Sequence, residues 1–300
     1  MVLAALARPE VAALCRAVVV GDPAVVAAAA ARLGLPAPPR VHGPPEVACD
    51  PARLFEGRPS AEAGRAAAGA VRAAAALVAR GEADALVTAP LNKEALGLAG
   101  EAFPGHTELL AAQFGARVRM MLQGGALRVV LVTTHLALRE VPAALTSEGV
   151  LETCRIAHRA LAAFGVAARP RLALAALNPH ASDGGRFGDE ERRVLAPALE
   201  AARAEGLDVS GPHPADTLFA RVAQPGGAVD AVVALYHDQG LIPVKLAAFG
   251  RATNVTLGLP IVRTSPDHGT AFDIAGQGRA DPGSMVEALA AACQLVAARG

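Results

Sequence analysis

AVVALYHDQGLIPVKLAAFGRATNVTLGLPIVRTSPDHGTAFDIAG, residues 231–276, opens as an apolar run and stops on His237-Asp238-Gln239-Gly240. The run AVVALY has the length and branched content of one fully buried strand. After it come Lys245, Asn254, Arg263, Asp267 and His268, set among glycines and prolines. This reads as loop chemistry following a strand, with ligand-type side chains gathered where a ligand would sit.

The same grammar repeats outward from this stretch. RVVLVTT (residues 128–134) is a strand followed by His135, and PRLALAALNP (residues 170–179) is a strand running to His180. Helices are predicted over 147–164, 189–205 and 215–222, and a last one over 284–298. Upstream, residues 61–80 form a helix and ADALVTAP is a strand stopping at Pro90, followed by Leu91-Asn92-Lys93-Glu94. In FPGHTELLAAQFG, His106 and Thr107 sit in a loop just before a helix, where free N–H groups and the dipole favour an anion. LAALARPEVAALCR reads as one amphipathic helix and AVVVGD as a short strand and turn. PAVVAAAAARLGL is a helix opened by Pro23 and closed near Gly34, and residues 36–60 are a loop with at most one strand. Alternating strands and helices predict an α/β fold, a largely parallel sheet with helices on both faces. Ligands bind such sheets at the carboxyl ends of the strands.

Three strands thus each deliver a histidine at that end: His135, His180 and His237. Three imidazoles without a fourth protein ligand suit a divalent metal with open positions. Asp216 and Asp238 are placed to orient imidazoles or to add oxygen ligands. His158 lies in a charged helix and reads as solvated; His42 and His213 lie in proline loops and read as structural. Lys93, Lys245, Asn254 and Arg263 suit a phosphorylated or carboxylated substrate, with Lys as a point charge and Arg as a fork. Lys245 and Arg263 stand out because apolar residues flank them, and buried cations need partners. Residues 267–276, DHGTAFDIAG, form a glycine-punctuated loop; no GxGxxG follows a strand.

Composition narrows the classes. The 300 residues have zero formal net charge and are 53% hydrophobic, enough for two α/β domains and against nucleic-acid binding. No apolar stretch reaches the length of a membrane span and no signal peptide is evident, so a cytoplasmic location is expected. Cys15, Cys49, Cys154 and Cys293 form no CxxC and read as reduced thiols. Only two lysines, three asparagines and one tyrosine occur, which raises the weight of Lys245 and Asn254.

TTHLALREVP, LNPHASDGGRFGDEE, GPHPADTLF, YHDQGLIPVK, NVTLGLPIVRTSPDHGTAFDIAGQGRADPGS and the upstream FPGHTELLA together closely resemble the 4-hydroxythreonine-4-phosphate dehydrogenase family of vitamin B6 synthesis. HGTAFDIAG also resembles the nucleotide loop of isocitrate and isopropylmalate dehydrogenases. The resemblance implies two α/β/α domains with largely parallel sheets, like those enzymes. Residues 1–115 with 262–300 would carry the nucleotide loop; 116–261 would carry the metal histidines and the dimer contacts. It implies a homodimer whose site lies between domains and is completed by the partner subunit. The metal ligands would be His135, His180 and His237, and the ion zinc, magnesium or cobalt. The substrate contacts would be His106, Thr107, Lys245, Asn254 and Arg263. Lys245 and Asp238 would be catalytic. NAD or NADP would bind at His268, Gly269, Thr270 and Asp273. The implied reaction is oxidation of 4-phosphooxy-L-threonine at C3 and decarboxylation to 3-amino-2-oxopropyl phosphate. The same chemistry on 4-phospho-threonate or 4-phospho-erythronate is the alternative. Family members usually begin with a strand and a loop resembling GDPAGIGPE, upstream of the point matching Met1; Gly21-Asp22-Pro23 matches the next strand's turn instead. A catalytically weak ligand-binding paralogue is the further reading that this suggests.

Overall fold

The computed structural model describes residues 1–300 apart from 53–56, 104, 225, 227–228 and 300. Part of the expected 36–60 loop and Pro104 of FPGHTE lie outside the described residues.

In chain order the elements begin with α1 (Val2–Leu6), α2 (Pro9–Leu14), β1 (Val19–Val20), α3 (Pro23–Leu33), β2 (Val41–His42), α4 (Ala61–Ala79), β3 (Ala85–Val87), α5 (Lys93–Leu98) and α6 (His106–Phe114). They continue with β4 (Arg119–Gly124), β5 (Leu127–Leu131), α7 (Val141–Ala144), α8 (Ser147–Ala163), β6 (Arg171–Ala175), α9 (Ala196–Ala204), β7 (Asp208–His213) and α10 (Ala215–Val222). The last are β8 (Ala231–Ala234), α11 (His237–Ala247), β9 (Thr253–Leu257), β10 (Val262–Pro266) and α12 (Gly283–Ala297).

The chain packs as two units, one of Met1–Arg117 with Leu259–Val296, the other of Val118–Gly258 with Ala297–Gly300. In the first unit β1 pairs with β2 and β3 with β10, both parallel. Pro23 opens α3, whose N-cap Asp22 accepts from the N–H of Ala24 at 2.7 Å, and Gly34 closes it at φ 61°. In the second unit the strand order is β9-β4-β5-β8-β6-β7. β5, β8, β6 and β7 run parallel; β4 is antiparallel to both β5 and β9. One face of this sheet presents Val129, Leu131, Ala173, Ala175, Val232 and Ala234 to Leu218, Phe219 and Val222 of α10 and to Leu241 and Val244 of α11. α8 packs against β4, β5, β6 and β9, giving the expected α/β architecture.

Several elements differ from the sequence reading. The first helix is two, because the ring of Pro9 sits best at a helix start and disfavours helical geometry in the preceding residue. The antiparallel β4 was not anticipated; it turns into β5 through Gly125, whose φ of 56° a residue with a side chain rarely adopts. The helix expected over 189–205 starts as a wide π-helical turn, Glu191–Leu195, before α9. Pro197 has no N–H for the carbonyl four residues back, and the chain widens there. The loop chemistry expected after AVVALY is regular structure: α11, β9 and β10 carry most of it. His42 and His213 lie in strands rather than proline loops. His158 is not solvated: its Nε2 is buried without a hydrogen-bond partner.

Candidate functional site

The strand ends of the second unit are stitched together before any histidine is reached. Past β5, the Thr133 N–H and hydroxyl both donate to the Leu235 carbonyl, at 3.1 and 2.7 Å. Past β8, the Leu235 N–H donates to Gln239 Oε1 at 2.7 Å, while Gln239 Nε2 donates to the Ala176 carbonyl just past β6 at 2.6 Å. Three neighbouring strands are thereby locked at their carboxyl edge, and His135, His237 and His180 follow from them. The sequence reading expects each directly after its strand, and none is. His135 lies beyond Thr133, His237 is the first residue of α11, and His180 lies in a separate turn. α11 approaches β5 closely, since a Cβ on Gly240 would come within 2.7 Å of Val129.

The His135 and His237 rings converge, their centroids 5.8 Å apart and tilted by 40°. His237 Nδ1 lies 2.6 Å from Asp238 Oδ1. A carboxylate only accepts, so Nδ1 carries the proton and Nε2 is left for a ligand. With Zn–N bonds of about 2.1 Å, two imidazoles on one tetrahedral ion hold their centroids about 5 Å apart. The pair therefore fits a shared cation. Among the described residues no group of three or more His, Cys, Asp or Glu converges to hold a metal, so the expected set of His135, His180 and His237 does not assemble within this one chain. Asp216 lies in the first turn of α10, where its Oδ1 accepts from the N–H of Thr217.

His180 belongs to an unusual turn. His180, Ala181, Ser182, Asp183 and Gly184 have φ of 53°, 53°, 68°, 42° and 68°, all left-handed. For residues with a Cβ this costs about 1–2 kcal/mol each. Glu191, 6% exposed, accepts from the N–H groups of Leu177 and Asn178 at 2.9 and 2.8 Å, from Asn178 Nδ2 at 2.9 Å and from the Ser182 hydroxyl. Burial works against its charge, but these donors outweigh it and hold the carboxyl below the ordinary value.

Lys245, partly buried, is on α11. Asn254 is in β9 opposite Leu122 of β4, and its buried Oδ1 has no hydrogen-bond partner. Such an acceptor is costly to bury unless a donor arrives.

In the first unit, Arg263 lies in β10 and is 2% exposed. It donates to Thr88 Oγ1 at 2.6 Å. Burial lowers its pKa to about 10, against the attraction of Glu108. His106 and Thr107 are the first residues of α6, not loop residues before it. Burial pushes His106 down to about 3; the charge of Arg263 adds to this, and a hydrogen bond to the Ala89 backbone opposes it. The structure thus gathers His106, Arg263, Thr88 and Glu108. Lys93 is an exposed first residue of α5. His268 and Gly269 are exposed, with His268 Nδ1 2.9 Å from the Gly269 carbonyl oxygen. Thr270 and Asp273 follow on either side of Ala271, a non-glycine residue at φ 47°. Glu191, Gln239 and Thr88 were not foreseen; an acidic residue at a helix start and a glutamine after His-Asp carry no pattern of their own.

A family described as "Pyridoxal phosphate biosynthetic protein PdxA" matches residues 13–292. The chain is 49% identical over 317 aligned residues to a 4-hydroxythreonine-4-phosphate dehydrogenase of Geobacter metallireducens, covering all of this chain and 92% of that one. The solved structure of the enzyme of that name from Klebsiella pneumoniae superposes with a TM-score of 0.89 at 41% identity, covering 98% of this chain and 94% of that one. A terephthalate 1,2-cis-dihydrodiol dehydrogenase from Burkholderia xenovorans LB400 is similar at TM-score 0.63 and 30% identity, over 92% of this chain and 97% of its own.

Proposed function

The chain belongs to the family of the pyridoxal phosphate biosynthetic protein PdxA, and from that premise we propose that this dehydrogenase oxidises 4-phosphooxy-L-threonine at its C3 hydroxyl. The observation that carries this reading is the likeness, over the whole chain, to enzymes of that name. When bound, a divalent cation on His135, His180 and His237 supplies Lewis acidity at the hydroxyl, and NAD or NADP accepts the hydride.

The chain's own residues do the rest. Arg263, His106, Thr107 and Asn254 hold the anionic and polar groups of the substrate. The charge of Arg263 is concentrated by burial, and His106 beside it stays neutral and contributes hydrogen bonds. The Asn254 Oδ1 is an acceptor waiting for a substrate donor. Lys245 stabilises the oxygen charge that develops at C3 or takes its proton. Asp238 fixes the His237 ring. His268, Gly269, Thr270 and Asp273 form the nucleotide loop. Loss of hydride from C3 and of the hydroxyl proton leaves a β-keto acid; the carboxylate departs as CO2, its electron pair passes to the new carbonyl, and the resulting enolate takes a proton at C2. The product is 3-amino-2-oxopropyl phosphate.

A homodimer completes the site in this reading. Ile242, Leu246 and Phe249 lie on or just past α11 and are 55%, 81% and 87% exposed, an apolar stripe on the helix that begins with His237. Its occupant is a second copy of this chain, which brings the histidine set to three.

The test is turnover with each of three substrates: 4-phosphooxy-L-threonine, 4-phospho-threonate and 4-phospho-erythronate. Enzyme stripped by a chelator should lose activity and regain it with a divalent cation. Preference for either acid would replace the substrate assignment. Full activity in the chelator would remove the metal role.

A further inference from the structure

The reading of His135, His180 and His237 as ligands of one cation leaves open what holds His180, and the following rests on that reading. We propose that Glu191 is the positioning residue of His180: its buried carboxylate fixes the left-handed turn that carries the imidazole and so sets the affinity of the metal site.

A run of left-handed residues persists only where its surroundings over-determine it. Packing does not do so here. Of residues 179–185 only Ser182 is buried, while Pro179, His180, Asp183, Gly184 and Gly185 are exposed. The strain is therefore not returned by apolar burial. The turn has backbone bonds of its own, from the Ala181 N–H to the Asn178 carbonyl and from the Phe187 N–H to the Ser182 carbonyl, both 3.2 Å, and the carboxylate adds the side-chain contacts. Its contacts bracket His180 on both sides, with Leu177 and Asn178 before it and Ser182 after it. The Asn178 side chain is shared with Glu190, 2.7 Å from Nδ2. Gly188 lets the chain return, since a Cβ there would meet Asn178 Nδ2 and Glu190 Oε2. Glu191 stands at the start of a helical segment, where a carboxylate usually faces water and the helix dipole. This one accepts from its own N–H and also reaches back into the turn. At the other end, Gln239 ties the Ala176 carbonyl to the chain that leads into His237. The root of the His180 turn and the His237 helix are thus held by one pair of side chains, Glu191 and Gln239.

The experiment measures Zn2+ affinity of the full-length protein by chelator competition, with Co2+ absorption as a reporter of ligand number. Glu191→Gln keeps the volume but sets an NH2 against the donor of Asn178. Its Zn2+ affinity should fall about 10–100-fold, the usual effect of losing a partner behind the ligands. Ser182→Ala removes one donor and leaves the carboxylate, and should lower the affinity several-fold, by an amount on the order of the lower figure. Affinity for the nicotinamide cofactor should be unchanged in both, because its proposed loop is in the other unit. His180→Ala gives the full loss for comparison. If His180→Ala loses Zn2+ while the other two variants keep it, the positioning role is wrong and the ligand reading stands. If His180→Ala itself keeps wild-type affinity, the ligand reading fails and the positioning role falls with it. If Zn2+ and cofactor affinity drop together, Glu191 serves the fold at large and the proposal is overturned. Should Glu191→Gln not fold, Ser182→Ala decides.

Discussion

His106 makes acid sensitivity a test of the buried histidine–arginine pair. In the folded chain burial and Arg263 hold its pKa at about 3, whereas in the unfolded chain it titrates near 6.5. Between those values the unfolded state binds more protons, so stability falls as pH falls. The contribution is whole above pH 6.5 and is lost progressively down to about pH 3. At pH 5 the folded ring is still neutral and the unfolded one is charged. The loss relative to pH 7 is then about 2 kcal/mol, and it is insensitive to the folded value as long as that stays below about 4. The perturbation is His106→Asn, which removes the titration but keeps a polar side chain. Urea unfolding of both proteins at pH 7 and pH 5 gives a double difference: wild type should lose about 2 kcal/mol more than the variant over that interval. NMR of ring-labelled histidine should show one resonance that does not titrate between pH 7 and pH 5. Equal losses in the two proteins, to within about 0.5 kcal/mol, would refute the burial of a neutral ring. A His106 resonance with a midpoint near pH 6 would refute it directly.

Arg263→Lys keeps the charge and loses the planar fork that reaches Thr88. It should lower kcat/KM by about 10–100-fold, mainly through KM, the effect of one charge-assisted hydrogen bond worth about 1.5–3 kcal/mol. Steady-state kinetics with unchanged KM would count against a substrate contact. Phe249→Asp places a charge on a side chain that is 87% exposed in one chain. Light scattering should find monomers in place of dimers, with the thermal midpoint of the chain little altered; a dimer of unchanged stability would move the interface elsewhere. Lys245→Met should lower kcat with little change in KM, since the proposed role is at the reacting oxygen, and an equal change in both would make it a binding residue.

What could be read from the sequence depended on whether the physics was local. His135 and His237 were legible because an apolar run that stops on a histidine marks a strand's carboxyl edge. Arg263 was legible as a buried cation because the apolar run LPIV leads straight into it. Lys245, Asn254 and Arg263 were nonetheless assigned to loop chemistry. Pro243 and the glycines around 250–258 look like loop punctuation, yet Pro243 lies inside α11 and Gly258 stands just past β9. His158 was read as solvated from its charged neighbours Arg155 and Arg159. At helical spacing it shares a face with Leu151, Cys154 and Leu161, all buried, and that period was the better guide.

Glu191 was illegible for a different reason. Its partners lie 14, 13 and 9 residues away, and they meet it only because the chain between them runs through the left-handed region. Nothing in His-Ala-Ser-Asp predicts that conformation; only glycine announces it. Positions on helices and strands are held by the packing of the whole element, as Arg263 is by β10 and His237 by α11, and tolerate the loss of one contact. A ligand on an exposed left-handed turn has no such reserve. Of the proposed ligands, His180 is therefore the one whose geometry depends most on one carboxylate, beside the turn's own backbone bonds, and substitutions remote from the substrate should act on the proposed metal site chiefly through residues 177–191.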